Sequence, residues 1–73
     1  MIKLSPLEKI LFLSANSDNE KVVILRRTFD RQIDAAIERR DGSSLSLLTN
    51  MLDNIFLTRT TAIQAVREME EIL

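Results

Sequence analysis

The 73-residue sequence contains no cysteine, histidine, tryptophan or tyrosine, and it has only one glycine and one proline. Without cysteine there is no disulfide, and without cysteine and histidine there is no ordinary zinc site. The same absences remove a thiol nucleophile and the usual acid–base groups that act near neutral pH. No glycine-rich loop is present to hold a phosphate. The sequence therefore predicts a protein that is not an enzyme, with no catalytic, cofactor-binding or metal-binding residues and no small-molecule ligand.

A strong net charge and a long apolar run are also missing. The formal net charge is −1, which gives no overall attraction to nucleic acid or to an anionic membrane. No run approaches the roughly 18 consecutive apolar residues of a membrane span. Lys3 ahead of residues 10 to 13 is superficially similar to a secretory signal, but Glu8 interrupts it and the apolar stretch is too short. We therefore expect a cytoplasmic protein that does not bind a membrane.

The residues that are present favour a folded helical protein. The sequence is 45% hydrophobic and 29% charged, whereas a disordered chain has less apolar content and more net charge. A chain of this length forms one domain, here residues 1 to 73, and buries only about 60% of the surface of its unfolded state. Because neither a disulfide nor a zinc site can add stability, the size favours self-association.

The first predicted helix covers about residues 5 to 15. Ser5-Pro6-Leu7-Glu8 has the pattern of a capping box with proline at the first helical position. This helix is expected to bury Leu7, Ile10 and Leu11, together with Leu4, and to end in the turn-forming residues 15 to 19. The alternative is a short buried strand at residues 10 to 13, because a four-residue apolar run does not distinguish the two by periodicity.

The second predicted helix covers about residues 18 to 41. Ser17-Asp18-Asn19-Glu20 repeats the capping-box pattern, and Gly42 is expected to end the helix in a left-handed conformation. Val23 and Ile24 lie outside the apolar stripe, so helix 1 is expected to cover them. The stripe consists of Val22, Leu25, Phe29, Ile33, Ala36 and Ile37, and the opposite face of Arg27, Asp30, Arg31, Asp34 and Glu38.

The third predicted helix covers about residues 44 to 73, with Ser43 or Ser44 as its N-cap. A continuous helix is favoured because a set of apolar residues keeps one angular phase along it. The set is Met51, Ile55, Ala62, Val66, Met69 and Leu73. The alternative is a kink or a new helix near residues 58 to 61, with Thr60 or Thr61 as the cap. The predicted fold is thus an all-α bundle of three helices.

The apolar face of predicted helix 3 is too broad for one neighbour. Leu45, Leu48, Leu52, Phe56 and Ile63 flank the phase described above. A helix of this length spans roughly 45 Å, against roughly 33 Å for helix 2, so part of it would overhang. The overhang predicts a homodimer, in which a second copy covers the excess. The simpler interpretation is that helix 3 is the buried central element of the bundle.

These features predict a protein-binding module, an adaptor, inhibitor or regulatory subunit that acts through an apolar helix face. Arg26 borders the apolar stripe, as a residue at an interface rim does. Arg59 lies in the apolar seam, so it either extends to solvent at an edge of the seam or bonds to an acid such as Glu70 or the Asp53 of a second copy. The predicted partner-binding residues are Val23, Ile24, Arg26, Leu52, Phe56, Arg59, Ile63, Val66 and Met69.

A second hypothesis is a small nucleic-acid-binding regulator. Arg26, Arg27 and Arg31 lie on one helix of a possible helix-turn-helix arrangement and would contact phosphates. Asp30 and Asp34 share the outer face of that helix and would repel phosphates. A solvated face whose charges pair with one another is the simpler interpretation.

A third hypothesis is a purely structural assembly component. Residues 31 to 73, predicted as a helix, a one-glycine turn and a longer helix, resemble the helical hairpins of phage terminase small subunits. The resemblance rests on leucine periodicity and a turn, and it implies oligomerisation without assigning a role to any residue.

Overall fold

The computed structural model describes residues 2–73, and all of its regular structure is helical. The helices are α1 (Pro6–Ser14), α2 (Asp18–Glu38), α3 (Gly42–Ile55) and α4 (Arg59–Ile72). The all-α prediction is confirmed, and the alternative of a strand at residues 10 to 13 is wrong. The prediction of three helices is also wrong, because the segment expected to form helix 3 folds as two helices. No helix in the described part of the chain is long and apolar enough to cross a membrane.

Helix α2 is the centre of the fold. α1, α3 and α4 each pack against it, and α3 also contacts α4. The apolar stripe expected on α2 lies inward over most of its length, although Ile37 at its far end is 55% exposed. The interpretation that the C-terminal helix is central is wrong, because its two halves lie at different positions on α2. The buried core consists of Ile2, Leu4, Phe12, Leu25, Phe29, Ala36, Ala62, Ala65, Val66 and Met69, with Thr28 as a buried polar residue.

The break between α3 and α4 is built by two threonines. Thr58 Oγ1 accepts a hydrogen bond from Thr61 N at 3.1 Å, and Thr58 N donates to Thr61 Oγ1 at 3.2 Å. Thr61 Oγ1 also donates to Ile55 O at 2.7 Å, which closes the end of α3. The hydroxyl groups thus replace helical hydrogen bonds lost at the break. The favoured continuous helix is wrong, and the cap of the new helix is Thr58 rather than Thr60 or Thr61.

Helix α1 begins as its sequence predicts. Ser5 Oγ accepts from Glu8 N at 3.2 Å, and Glu8 Oε1 accepts from Ser5 N at 2.8 Å, which confirms the capping box. The same pattern at the start of α2 is only half formed. Ser17 Oγ accepts from Glu20 N at 3.2 Å, but the Glu20 carboxylate accepts from Asn16 N instead of from the cap residue.

The expected inward face of α1 is wrong. Leu7 and Ile10 are 65% and 64% exposed, and Leu11 and Leu13 are also exposed. Leu4, just before the helix, is buried as expected. Because α1 turns Phe12 and the partly buried Glu8 towards α2, its leucines and isoleucine are left on the outer surface. The helix is therefore apolar on its exposed side.

The end of α2 does not use glycine. Arg40 has a φ of 55°, and its backbone N–H donates to Ile37 O at 3.0 Å. Asp41 N donates to Ala36 O at 2.9 Å, which completes a Schellman motif with arginine in the left-handed position. The expectation that Gly42 supplies this conformation is wrong, because Gly42 is the first residue of α3 and has no positive φ.

Helix α3 is capped by Asp41 rather than by Ser43 or Ser44. The Asp41 carboxylate accepts hydrogen bonds from Ser44 N at 3.1 Å and from Ser44 Oγ at 2.7 Å. Hydrogen bonding to the charged form stabilises it, so Ser44 lowers the pKa of the Asp41 carboxyl. One aspartate therefore both ends the turn after α2 and starts α3.

Candidate protein-binding groove

The predicted partner-binding residues separate into three groups. Val23, Arg26 and Arg59 are exposed, and four others are partly buried: Ile24, Leu52, Phe56 and Ile63. Val66 and Met69 are almost completely buried in the core. Within one chain these last two residues are part of the hydrophobic core and do not reach the surface.

Four of the predicted residues meet in one groove. It lies between the first turns of α2, the turn between α3 and α4, and the start of α4, and its volume is about 530 Å³. We call it the α2/α4 groove. It is lined by Val22, Val23, Arg26, Arg27, Phe56, Leu57, Thr58, Arg59 and Ala62. Val23, Arg26, Phe56 and Arg59 are among the partner-binding residues predicted from the sequence, whereas the other five lining residues, including Leu57 and Thr58, are not.

Leu57 and Thr58 lie in the turn between α3 and α4, which the predicted continuous helix does not contain. Thr58 and Thr61 have the spacing of an N-cap and its third helical residue, but threonine at that second position is not the usual Glu or Gln of a capping box. The pattern Phe56-Leu57-Thr58 is also that of a hydrophobic pair ahead of a cap. These local features, unlike the apolar periodicity, indicate a helix boundary at Leu57.

The floor of the groove is apolar and is joined to the core. Val23 is 48% exposed and Leu57 is 75% exposed, so both apolar side chains are open to solvent at the groove. Phe56 packs edge-on against the buried Phe29, with ring centroids 6.0 Å apart and an interplanar angle of 87°. The groove therefore exposes apolar side chains on a base that the core holds in place.

Arginines form the sides of the groove. The Arg26 guanidinium lies 5.4 Å from the centroid of the Phe56 ring, a cation–π arrangement. Arg59 Nη1 donates to Asn19 Oδ1 at 2.5 Å, so its side chain is held by a neutral group. The expectation that Glu70 pairs with Arg59 is wrong, because the Glu70 carboxylate binds other cations.

Three other arginines, Arg31, Arg39 and Arg67, form ion pairs, whereas Arg40, outside the groove, forms none within residues 2–73. Arg31 donates to both carboxylate oxygens of Glu8, at 2.9 and 2.8 Å. Arg67 binds Asp18 through two hydrogen bonds of 3.0 and 2.8 Å. It also reaches Glu70 at 2.6 Å, and Lys21 lies 3.3 Å from the same Glu70 carboxylate. These pairs join α1 and α4 to α2.

No ion pair within residues 2–73 involves Arg26, Arg27 or Arg59. Asp30 is the next acid along α2 and forms no ion pair with them. Thr58, at the same groove, is the N-cap of α4, and the start of a helix carries a partial positive charge. The groove thus combines an apolar floor with three guanidinium groups that the described chain leaves without a carboxylate.

A second groove between α2 and α3 provides a comparison. Its volume is about 410 Å³, and Arg31, Arg39 and Leu47 are among its lining residues. Glu8 neutralises Arg31, and the Asp41 carboxylate lies 3.9 Å from Arg39. Because its arginines already have acids, this groove lacks the unmatched charge of the α2/α4 groove.

The described residues contain no cluster of three or more potential metal ligands. Comparisons of this chain with family models, curated proteins and solved structures find no match. The functional interpretation therefore depends on the geometry of the groove itself.

Proposed function

We propose that this chain is a non-enzymatic protein-binding module, a small helical adaptor, inhibitor or regulatory subunit, and that the α2/α4 groove is its binding surface. One observation carries the proposal: exposed apolar side chains lie beside arginines that have no acid in the described chain. Aromatic residues and arginine are enriched among the residues that dominate binding at protein interfaces. Phe56 and Arg26 bring these two types into direct contact at the groove.

This surface differs from the one that the sequence indicated. The partner-binding face was expected along a continuous helix that included Val66 and Met69. The break at residues 56 to 58 turns those two side chains into the core and presents Leu57 instead. The proposed surface is accordingly smaller, and it lies at the junction of three helices.

Site-specific photo-crosslinking in the cells that make the protein tests this proposal. A photoreactive residue at Leu57 should give one discrete adduct with a protein, identified by mass spectrometry and rebound as a purified protein. The adduct should disappear when Val23→Asp is added. The matched control carries the same group at Ile37, which is exposed but lies about four turns beyond Val23 on α2. Equal adducts at both positions, or none at Leu57, would contradict the proposal.

A homodimer remains a proposal, now through a different surface. The overhang argument no longer applies, because α3 and α4 are separate helices. The exposed side of α1 instead presents Leu7, Ile10 and Leu11 without an acidic group, and homodimer interfaces are more apolar than other interfaces. Light scattering should give twice the chain mass at micromolar concentration, and the single-chain mass for Ile10→Glu. A wild-type monomer at that concentration would rule out this dimer.

Nucleic-acid binding is the second candidate, because Arg26 and Arg27 form no ion pair within residues 2–73. The third residue of that hypothesis, Arg31, is bound by Glu8. Titration of a duplex DNA at low salt, followed by fluorescence anisotropy, checks this candidate. Affinity that falls steeply with salt would support it.

A further inference from the structure

We propose that the occupant of the α2/α4 groove is an acidic amphipathic helix of a partner protein. Its apolar side chains would cover Val23, Phe56 and Leu57, and its carboxylates would pair with Arg26, Arg27 and Arg59. This inference rests on the proposed function, since it names the partner of the same groove.

The acidic character follows from the two walls of the groove. Arg26 and Arg27 project from α2, and Arg59 projects from the first turn of α4. A ligand between these walls meets positive charge on both sides, together with the positive end of α4. Complementary charge favours the correct partner and repels basic ones. Carboxylates on both flanks of the ligand are therefore the matching chemistry.

The chain itself shows how its arginines bind carboxylates. Arg31 holds Glu8 and Arg67 holds Asp18, each through two hydrogen bonds from one guanidinium group. This bidentate geometry is the strongest form of a carboxylate–arginine contact. The arginines of the groove are likewise exposed side chains on α2 and α4. An acidic side chain of a partner would complete there the kind of pair that the chain completes elsewhere by itself.

The apolar component of the ligand follows from the floor. A purely anionic ligand, such as a phosphate backbone, would leave Val23 and Leu57 in water. The Phe56 ring, which lies under the Arg26 guanidinium, would also stay partly exposed with such a ligand. Covering these side chains needs apolar groups on the same face as the carboxylates.

A helical ligand fits better than an extended one. An extended peptide that binds by adding a strand needs a sheet edge, and residues 2–73 include no strand. The groove is walled by helices, whose backbone groups are already hydrogen-bonded within each helix. A ligand whose own backbone is internally hydrogen-bonded therefore loses least on entering the groove, and a helix satisfies that condition.

Selection from a display library of random 16-residue helical peptides tests the inference on the intact chain. Enriched peptides should carry Asp or Glu on both sides of an apolar stripe. Their affinity should fall at least tenfold for Arg26→Glu and for Arg59→Glu. The matched control is Arg40→Glu, which makes the same change in net charge at an exposed arginine outside the groove and should change the affinity less than twofold.

The outcomes separate this inference from the proposed function. Enriched peptides without acidic residues, or peptides that bind the Arg26→Glu and Arg59→Glu variants as well as the Arg40→Glu control, would overturn the acidic partner and leave a protein-binding groove. No enrichment of any peptide, with DNA bound in a salt-dependent way, would overturn both. Restored binding of Arg26→Glu by a peptide with Lys in place of Glu would confirm the charge pairing directly.

Discussion

The basic residues of α2 fall into two groups. Arg31 binds Glu8 of α1, and Lys21 binds Glu70 at the end of α4; we call these two contacts the paired side. Arg26 and Arg27, at the α2/α4 groove, form no ion pair within residues 2–73, although Arg27 and Arg31 share the outer face of α2. The ion pairs join α1 and α4 to α2, and we propose that the charges at the groove bind a partner.

Because of this difference, effects on the free energy of unfolding and effects on binding can be measured separately in this small domain. Substitutions on the paired side should change the free energy of unfolding, and substitutions at the groove should change binding. Residues that contact both sides should change both. The expected effects differ enough in size to be distinguished by chemical denaturation.

The largest effect on the free energy of unfolding is expected at Phe29, which lies in the core beneath the groove. Phe29 is fully buried and packs against Phe56 at the floor of the groove. Phe29→Ala should lower the free energy of unfolding by about 3 to 5 kcal/mol, because a cavity replaces the ring. Urea denaturation measures the loss. A loss below about 1 kcal/mol would show that the groove floor is not joined to the core.

The next effect is expected at Glu8 on the paired side. The Arg31 guanidinium holds the pKa of the Glu8 carboxyl at about 2, against its usual 4.5, despite partial burial and with further help from Ser5. This difference converts to roughly 3 kcal/mol. Arg31 is half exposed, and screening reduces the contribution to about 1 to 2 kcal/mol. Glu8→Gln keeps the capping box and should lose that amount at pH 7.

The same pair predicts a pH dependence. A carboxyl whose pKa is lowered on folding stabilises the protein above its unfolded value of 4.5. The stabilisation should be lost as the pH falls from about 4.5 towards 2. Denaturation curves at several pH values should show this fall in the wild type and a smaller one in Glu8→Gln. Identical curves would mean that the pair contributes nothing.

A smaller effect, a gain in the free energy of unfolding, is expected at the end of α2, away from the ion pairs and the groove. Arg40 occupies the left-handed region, which glycine adopts without steric cost. Arg40→Gly should therefore raise stability by about 0.5 to 1 kcal/mol, and Arg40→Ala should not. The melting temperatures of the two variants provide the comparison. A more stable background would also make the other variants easier to measure.

The smallest effect on stability is expected at the groove. Arg27→Gln removes an exposed guanidinium that no acid of the described chain binds, so the free energy of unfolding should change by less than about 0.5 kcal/mol. Binding of an acidic peptide should nevertheless weaken. A stability loss as large as that of Glu8→Gln would show that Arg27 has a structural partner.

Local sequence patterns predicted the starts of α1 and α2, because capping depends on neighbouring residues. The Ser5 capping box is an example. The break at Thr58 was missed because apolar periodicity continues across it, and the left-handed Arg40 was missed because a residue other than glycine seldom adopts that conformation. Leu7 and Ile10 were misplaced because Phe12 and the Glu8–Arg31 ion pair face α2, and periodicity does not reveal that pair.

The candidate site was predicted only in part. Val23 and Arg26 were found because they depart from the regular pattern of α2, and Phe56 and Arg59 because they lie on the apolar face of the next segment. Their meeting in one groove requires the turn at residues 56 to 58. That turn also carries Leu57 to the surface, which a continuous helix does not indicate.

The most direct test of the central claim is to map a bound acidic amphipathic peptide by amide chemical shifts. If the peptide binds in the α2/α4 groove, saturable shifts should appear at residues 22 to 27 and 56 to 62, with residues 7 to 13 of α1 unchanged. Shifts centred on the exposed face of α1, with the groove amides unchanged, would contradict it.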